Sequence, residues 1–524
     1  MNARRVSRRQ MMGGLLAGVA VLAAVPGFAE APARSLRPMP RGGVSPALAA
    51  TSAEALIAAA RLGDAAVASY VVMDAANGTV LEQREAQAGM PPASVAKAVT
   101  ALYALARLGP EFRFRTRVLA TGPVAAGVVQ GDILLVGSGD PTLQTDQLGD
   151  LAATLAARGI KGVTGRFLTW DRALPPILRI SDEQPVQVGY NPSISGLNLN
   201  FNRVHFEWKR ANNGWSTAMD ARGERFVPAV RMAKMRVVAR DTPVFTYETT
   251  DVTDDWTVAA TALGQGGSRW LPVRHPAAYV GDVFQTLARA QGITLPEPQA
   301  LAAEPSGSSL TAEPSSSGLT AGPSGSGLTA EPSGQELAAV ESAALPTILR
   351  DMLRFSTNIT AEALGLRASG AATLAASGAA MSDWARATYG VGCRFVDHSG
   401  LGSASRVTAE DMAQIIRQAH LAGAGVQPLL RDLGLRDAKG KEIANSPVRV
   451  TAKSGTLNFV SALAGHVRPP QGRELIFAIF LGDVARRDAL PEADRESPPG
   501  GQAWMARARN LQWQLLARWS QVYS

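Results

Sequence analysis

Three short groups of residues in this chain carry side chains that could do covalent chemistry. The first is Ser94-Val95-Ala96-Lys97. Val95, Val99, Leu102 and Leu105 recur at helical spacing and Gly109-Pro110 ends the pattern, so Ser94 stands where a helix begins. Residues three apart share a helical face, which lets the Lys97 amine reach the Ser94 hydroxyl. A helix N-terminus also offers free backbone N–H groups to a developing oxyanion. Taken alone, Ser-x-x-Lys is a weak signal, since an N-cap serine with a solvated lysine looks the same. The second group, Ser356-Thr357-Asn358, would by itself read as a helix cap. The third, Lys453-Ser454-Gly455-Thr456, lies at the end of a strand-like run beginning at Val448. An amine, two hydroxyls and a backbone-permissive glycine there suit gripping a carboxylate against a strand edge.

The remaining chemistry-bearing residues point elsewhere. His398 sits between Asp397 and Ser399, but triads assemble in space and not by adjacency, so a structural turn is expected. His205, His275, His420 and His466 are isolated in the sequence and lack the HExxH spacing, so no metal or other cofactor is expected. Cys393, the single cysteine, excludes an intramolecular disulfide framework and reads as a small buried residue.

The chain that positions these groups has 524 residues, 46% hydrophobic and 18% charged, which excludes disorder throughout and leaves room for several domains. The net charge of +8 owes much to Arg4, Arg5, Arg8 and Arg9. They precede an apolar run from Met11 to Val25 and small residues at Ala29 and Ala31, the layout of a signal peptide over 1–31. Ser7-Arg8-Arg9-Gln10 is similar to a twin-arginine export signal, and a plain Sec signal is equally compatible. The body is therefore expected outside the cytoplasm, periplasmic or secreted, with no nucleic-acid partner indicated and peripheral membrane association left open.

Residues 66–84 read as a hairpin turning at Asn77-Gly78. Helices are expected over Glu336 to Leu353, Asn358 to Arg367, Thr408 to Leu421 and 503–520, and strands over Val448 to Ala452, Val460 to Val467 and Leu475 to Leu481. Strands near both chain ends predict one sheet built from both. Residues 304–339 repeat a nine-residue unit (EPSGSSLTA, EPSSSGLTA, GPSGSGLTA, EPSGQELAA) too rich in Pro, Ser and Gly to bury a core, which reads as a linker over 301–337.

Ser-x-x-Lys, Ser-x-Asn and Lys-(Ser/Thr)-Gly in this order form the signature of penicillin-binding proteins and serine β-lactamases. Ser356 lies 262 residues after Ser94 and 97 before Lys453. That long first interval, with Gly139-Asp140-Pro141-Thr142-Leu143, Pro192 to Asn200 and Asp397-His398-Ser399-Gly400-Leu401, resembles the low-molecular-mass class C penicillin-binding proteins, the D-alanyl-D-alanine carboxypeptidase/endopeptidase family. Ser454 departs from the family's usual threonine but keeps the hydroxyl.

The resemblance implies an α+β fold: a transpeptidase-like catalytic domain (45–122 and 338–524) of helices packed on a five-stranded antiparallel sheet. It also implies inserted, mostly β domains at 123–197 with 275–300 and, nested within, at 198–274. It implies Ser94 as acylated nucleophile, Lys97 as its base, Ser356 as proton relay and Asn358 as a holder of Lys97 and the substrate amide. Lys453, Ser454, Gly455 and Thr456 would bind the carboxylate, and the backbone N–H groups of Ser94 and Thr456 would form the oxyanion hole. Peptidoglycan stem peptides ending in D-Ala-D-Ala, or their cross-links, would be substrates and β-lactams inhibitors. The alternatives are a serine β-lactamase, for which no Glu-x-x-x-Asn element lies between Asn358 and Lys453, a catalytically silent wall-binding protein of the same fold, and a Ser/Lys peptidase on another fold.

Overall fold

The strand Leu475–Gly482 carries no polar side chain, and a strand of that kind must be covered on both faces. In the computed structural model, which describes residues 46–250, 252–301, 331–423, 425–437 and 441–523, it lies inside a six-stranded sheet. The order is Arg431–Leu433, Arg449–Leu457, Val460–Arg468, Leu475–Gly482, Val67–Asp74, Val80–Arg84, and every neighbouring pair is antiparallel. Val67–Asp74 pairs with Leu475–Gly482 along its whole length, so both chain ends do build one sheet. The hairpin turns as expected at Asn77-Gly78, where Gly78 takes a positive φ of 78°.

The sixth strand corrects the expected five. Arg431–Leu433 is three residues long and mostly charged, with no pattern from which a strand could be read. It pairs only with Val450, Thr451 and Ala452. From Lys453 onward that edge of Arg449–Leu457 has no partner strand among the described residues.

Alternation along the strands divides the core in two. Val71, Met73, Ala462, Ala464, Ile476, Ala478 and Phe480 pack against helices that include Ala96–Leu108, Leu345–Phe355 and Ala409–Leu421. Tyr70, Val72, Leu463, Phe477, Ile479 and Leu481 pack against Ala53–Ala60 and Gly501–Val522. The latter helix buries Trp504, Leu511, Leu515, Leu516 and Trp519, and the Trp504 indole N–H donates to the Leu62 carbonyl at 2.8 Å. Thr408 caps Ala409–Leu421, its hydroxyl accepting from Asp411 N.

A five-stranded sheet, ordered Pro298–Ala300, Phe167–Trp170, Ile133–Gly137, Arg115–Ala120, Gln335–Glu341, and two three-stranded sheets from residues 203–272 make up most of the middle of the chain. One buried cluster runs through them, joining Val118, Leu135 and Phe167 to Phe206, Trp256, Leu271, Tyr279 and Phe284.

Glu336 to Leu353 is not one helix. Gln335–Glu341 is a strand paired with Arg115–Ala120, and a helix begins only at Leu345. Pairing and burial of Leu337 and Ala338 override the helical preference of Glu and Ala. Pro346, at the start of the Leu345–Phe355 helix, fits a first turn and not an interior. This strand also absorbs the end of the last nine-residue unit. The other three units and the leader lie outside the described residues, among which no helix is long and apolar enough to cross a membrane.

Leu515 is buried on the sheet face away from the Ala96–Leu108 helix. Leu515→Ala should cost about 2–5 kcal/mol in chemical denaturation; a variant as stable as the parent protein would contradict this two-layer core.

Candidate active site

Ser94 lies in a single 3-10 turn, Ala93–Val95, from which the helix Ala96–Leu108 continues. Ala93 takes a positive φ of 47°, an unfavoured backbone for a residue with a Cβ. Two glycines accommodate this turn. A Cβ on Gly400 would meet the Ala93 carbonyl oxygen at 1.8 Å, and one on Gly455 would lie 2.8 Å from the Pro92 oxygen and 2.9 Å from Ser94 N. The lysine strand therefore runs directly against the serine turn because position 455 has no side chain.

Lys97 is fully buried. Its Nζ lies 3.0 Å from Ser94 Oγ, 2.7 Å from Asn358 Oδ1 and 2.8 Å from the Ser399 carbonyl oxygen. Asn358 opens the helix Asn358–Ser369, and its Nδ2 donates to the Tyr190 carbonyl at 2.8 Å, which turns Oδ1 toward Lys97. Ser356 ends the preceding helix in the left-handed region, φ 59°. Its Oγ accepts from Lys453 Nζ at 3.1 Å, and Lys453 also donates to the Ser454 carbonyl at 2.6 Å. The three sequence groups thus converge, with Ser94, Lys97 and Asn358 in one hydrogen-bonded chain and Ser356 and Lys453 in another. Ser454 and Thr456 are exposed on the strand's other side.

Burial, and after it the Lys453 charge, lowers the Lys97 pKa to about 7, against the opposing pull of Glu362 and Asp397. Burial alone lowers Lys453 to about 8.

Of the acidic pair behind Lys97, Asp397 belongs to the Asp397-to-Leu401 segment already singled out, whereas Glu362 is a residue that sequence reasoning missed. Glu362 is fully buried and accepts from His398 N at 3.0 Å and Ser399 N at 2.8 Å. Asp397 accepts from Gly400 N at 2.8 Å and Gly402 N at 2.6 Å. Burial raises both pKa values, Glu362 further through the nearby Asp397 charge. Together they fold the 397–402 loop so that the Ser399 carbonyl faces Lys97, and Thr100 ties the same loop down by donating to the His398 carbonyl at 2.6 Å. The available signal was spacing: Glu362 stands four residues after Asn358, one turn along the same helix face.

His398 is a packing residue. Its Nε2 lies 2.6 Å from Ser377 Oγ, its ring stacks on Tyr103, and a Cβ on Gly365 would meet that ring at 2.1 Å. Burial lowers its pKa to about 3, so it stays neutral. Cys393 is buried, which pushes its thiol pKa up. His420 and His466 are not isolated in space, their rings lying 5.2 Å apart. Among the described residues no cluster of metal-ligating side chains forms.

With this geometry in place, known proteins can be compared. The chain is 31% identical over 494 residues to a D-alanyl-D-alanine carboxypeptidase of Actinomadura sp. (strain R39), a match covering 85% of this chain and 84% of that one. It is 25% identical over 434 residues to a carboxypeptidase of Mycobacterium tuberculosis, covering 79% and 76%. The crystal structure of penicillin binding protein 4 (dacB) from Haemophilus influenzae shares the fold, with a TM-score of 0.69 at 19% identity over 89% of this chain and 100% of that one. The model of one family, D-Ala-D-Ala carboxypeptidase 3 (S13), takes in residues 49–321 and 326–497, interrupted only within the nine-residue repeats, and it is to this family that the chain belongs.

Proposed function

We propose that Ser94 is the nucleophile of this D-Ala-D-Ala carboxypeptidase and that neutral Lys97 is its base. The hydrogen bonding of Lys97 carries the reading. A neutral amine has two N–H donors and one lone pair. Asn358 Oδ1 and the Ser399 carbonyl can only accept, so they take the two donors, and the lone pair is left for the Ser94 hydroxyl. Ser94 Oγ then attacks the carbonyl carbon of the penultimate D-alanine as its proton passes to Lys97. The oxyanion is held by the backbone N–H groups of Ser94 and Thr456, which the contact at Gly455 supports by bringing the strand against Ser94 N. Collapse breaks the C–N bond as Ser356 gives its hydroxyl proton to the departing amine of D-alanine; the proton that Lys97 took from Ser94 makes this good through the Lys453–Ser356 hydrogen bond, leaving both lysines as they began. Water then hydrolyses the acyl-enzyme.

Lys453, Ser454 and Thr456 bind the terminal carboxylate, with the strand edge beyond Ala452 open to an extended peptide. The substrates are peptidoglycan stem peptides, and the same acyl-enzyme serves cross-linked peptides, giving endopeptidase activity. The Haemophilus influenzae protein has also been solved with a β-lactam, in keeping with β-lactams as inhibitors here. Glu362 gives the β-lactamase alternative no support, since it is fully buried and its two oxygens hold the backbone N–H groups of His398 and Ser399. Peptidoglycan substrates and the basic, apolar leader support an extracytoplasmic location. Residues 115–120 and 335–341, paired where the chain leaves and re-enters the catalytic body, support reading the middle of the chain as an insert.

Digesting purified peptidoglycan with the mature protein should release D-alanine and cleaved cross-links by mass spectrometry. Ser94→Ala should give neither, nor any labelling by a fluorescent penicillin; a retained label would reject the assignment. The lysine pKa values set the pH dependence. Lys97 must be neutral, so acylation rises as pH climbs through about 7, and Lys453 must be charged, so it falls above about 8. A rate of penicillin labelling still climbing near the ordinary lysine pKa of about 10.4 would contradict a neutral Lys97.

A further inference from the structure

The carboxylate site proposed above has a weakness as a cation. Lys453 is buried, its N–H groups are directed to Ser356 Oγ and the Ser454 carbonyl, and its pKa near 8 means that part of its charge is lost just above neutral pH. Alternation along Arg449–Leu457 places Lys453 and Gly455 toward the serine turn and Ser454 and Thr456 toward the opposite, solvent side. On that side the strand meets the C-terminal helix Gly501–Val522 across a cavity of about 510 Å³ lined by Arg431, Arg436, Arg509, Ser454, Thr456 and Trp513. Arg509 Nη2 donates to Thr456 Oγ1 at 3.4 Å.

The guanidinium groups around this cavity are held in different ways. Arg518, further along the same helix, is paired with Glu82, and Arg436 sits over the Trp513 ring at 5.8 Å. Among the described residues no carboxylate lies within ion-pair distance of Arg431 or Arg509, and of these two it is Arg509 that reaches the Thr456 hydroxyl. A guanidinium keeps its charge at every working pH and takes a carboxylate with paired N–H donors.

We infer that Arg509 is a specificity-determining residue of this enzyme, supplying the permanent positive charge that recognises the free carboxylate of the substrate's last residue beside Ser454 and Thr456. This rests on the reading of Ser94 and Lys453 given above and extends it: Lys453 serves both the proton relay and the carboxylate, and Arg509 adds a second charge that does not titrate. The helix that seals one face of the core thereby also bounds the substrate site.

The test uses the full mature protein and a capped peptide ending in D-Ala-D-Ala, with D-alanine release as the readout. Arg509→Gln should lower kcat/KM about tenfold, carried chiefly by KM, the loss of one charge-assisted contact. Arg509→Lys, which keeps the charge, should recover most of it. Added salt should raise the wild-type KM and move that of Arg509→Gln much less. Arg509 is exposed, so both variants should melt with the wild type. An Arg509→Gln enzyme with wild-type KM, or Gln and Lys variants that lose equally, would overturn the inference. A wild-type protein that neither releases D-alanine nor takes a penicillin label would instead sink the underlying assignment of Ser94.

Discussion

An amine sealed inside a protein core is the constraint on which this site is built. Lys97 lies on a helix whose other residues from Ala96 to Ala104 are also buried, and its own side chain is fully buried. Burial favours the neutral form, and a second lysine nearby favours it further. The two carboxylates behind it, Glu362 and Asp397, act in the opposite sense, and because burial raises their own pKa values their pull is moderated. The outcome is an amine balanced near neutrality, which is where a general base has most effect.

The rest of the fold can be followed outward from that amine. Its acceptors come from separate stretches of chain, Asn358 at a helix start and Ser399 in a loop, and each is fixed by a further partner: the Tyr190 carbonyl for Asn358, the Glu362 carboxylate for Ser399. The Tyr190 contact means that the middle of the chain helps to orient Asn358 toward Lys97. The serine turn is squeezed between two backbones, at Gly400 and Gly455, both of which approach more closely than any side chain would permit. The sheet gives this assembly a rigid base, since its central strands are buried on both faces, and rigid elements hold a site more tightly than loops do.

The readable parts of this molecule were those governed by local chemistry. Ser94, Lys97, Ser356, Asn358 and Lys453 could be picked out because the spacing of three puts two on one helix turn and because their order along the chain matches a known signature. The hairpin at Asn77-Gly78 and the buried strands 460–468 and 475–482 followed from turn chemistry and apolar runs. What stayed hidden depends on long-range pairing. Arg431–Leu433 is a strand only because Val450–Ala452 offers it an edge, and Gln335–Glu341 is a strand only because Arg115–Ala120 lies beside it, though Pro346 already argued against a helix running through. Glu362 looked like one more helical acid, and its role became visible only when its two oxygens were found on backbone N–H groups.

The most direct measurement of the central claim is the titration of Lys97 itself, followed by NMR of the wild-type protein labelled with ζ-15N lysine and assigned by comparison with Lys97→Met. The account predicts that this amine loses its proton near pH 7, several units below the exposed lysines. A Lys97 that stays an ammonium until it titrates with the surface lysines would contradict it, since the lone pair would then be absent when Ser94 has to react.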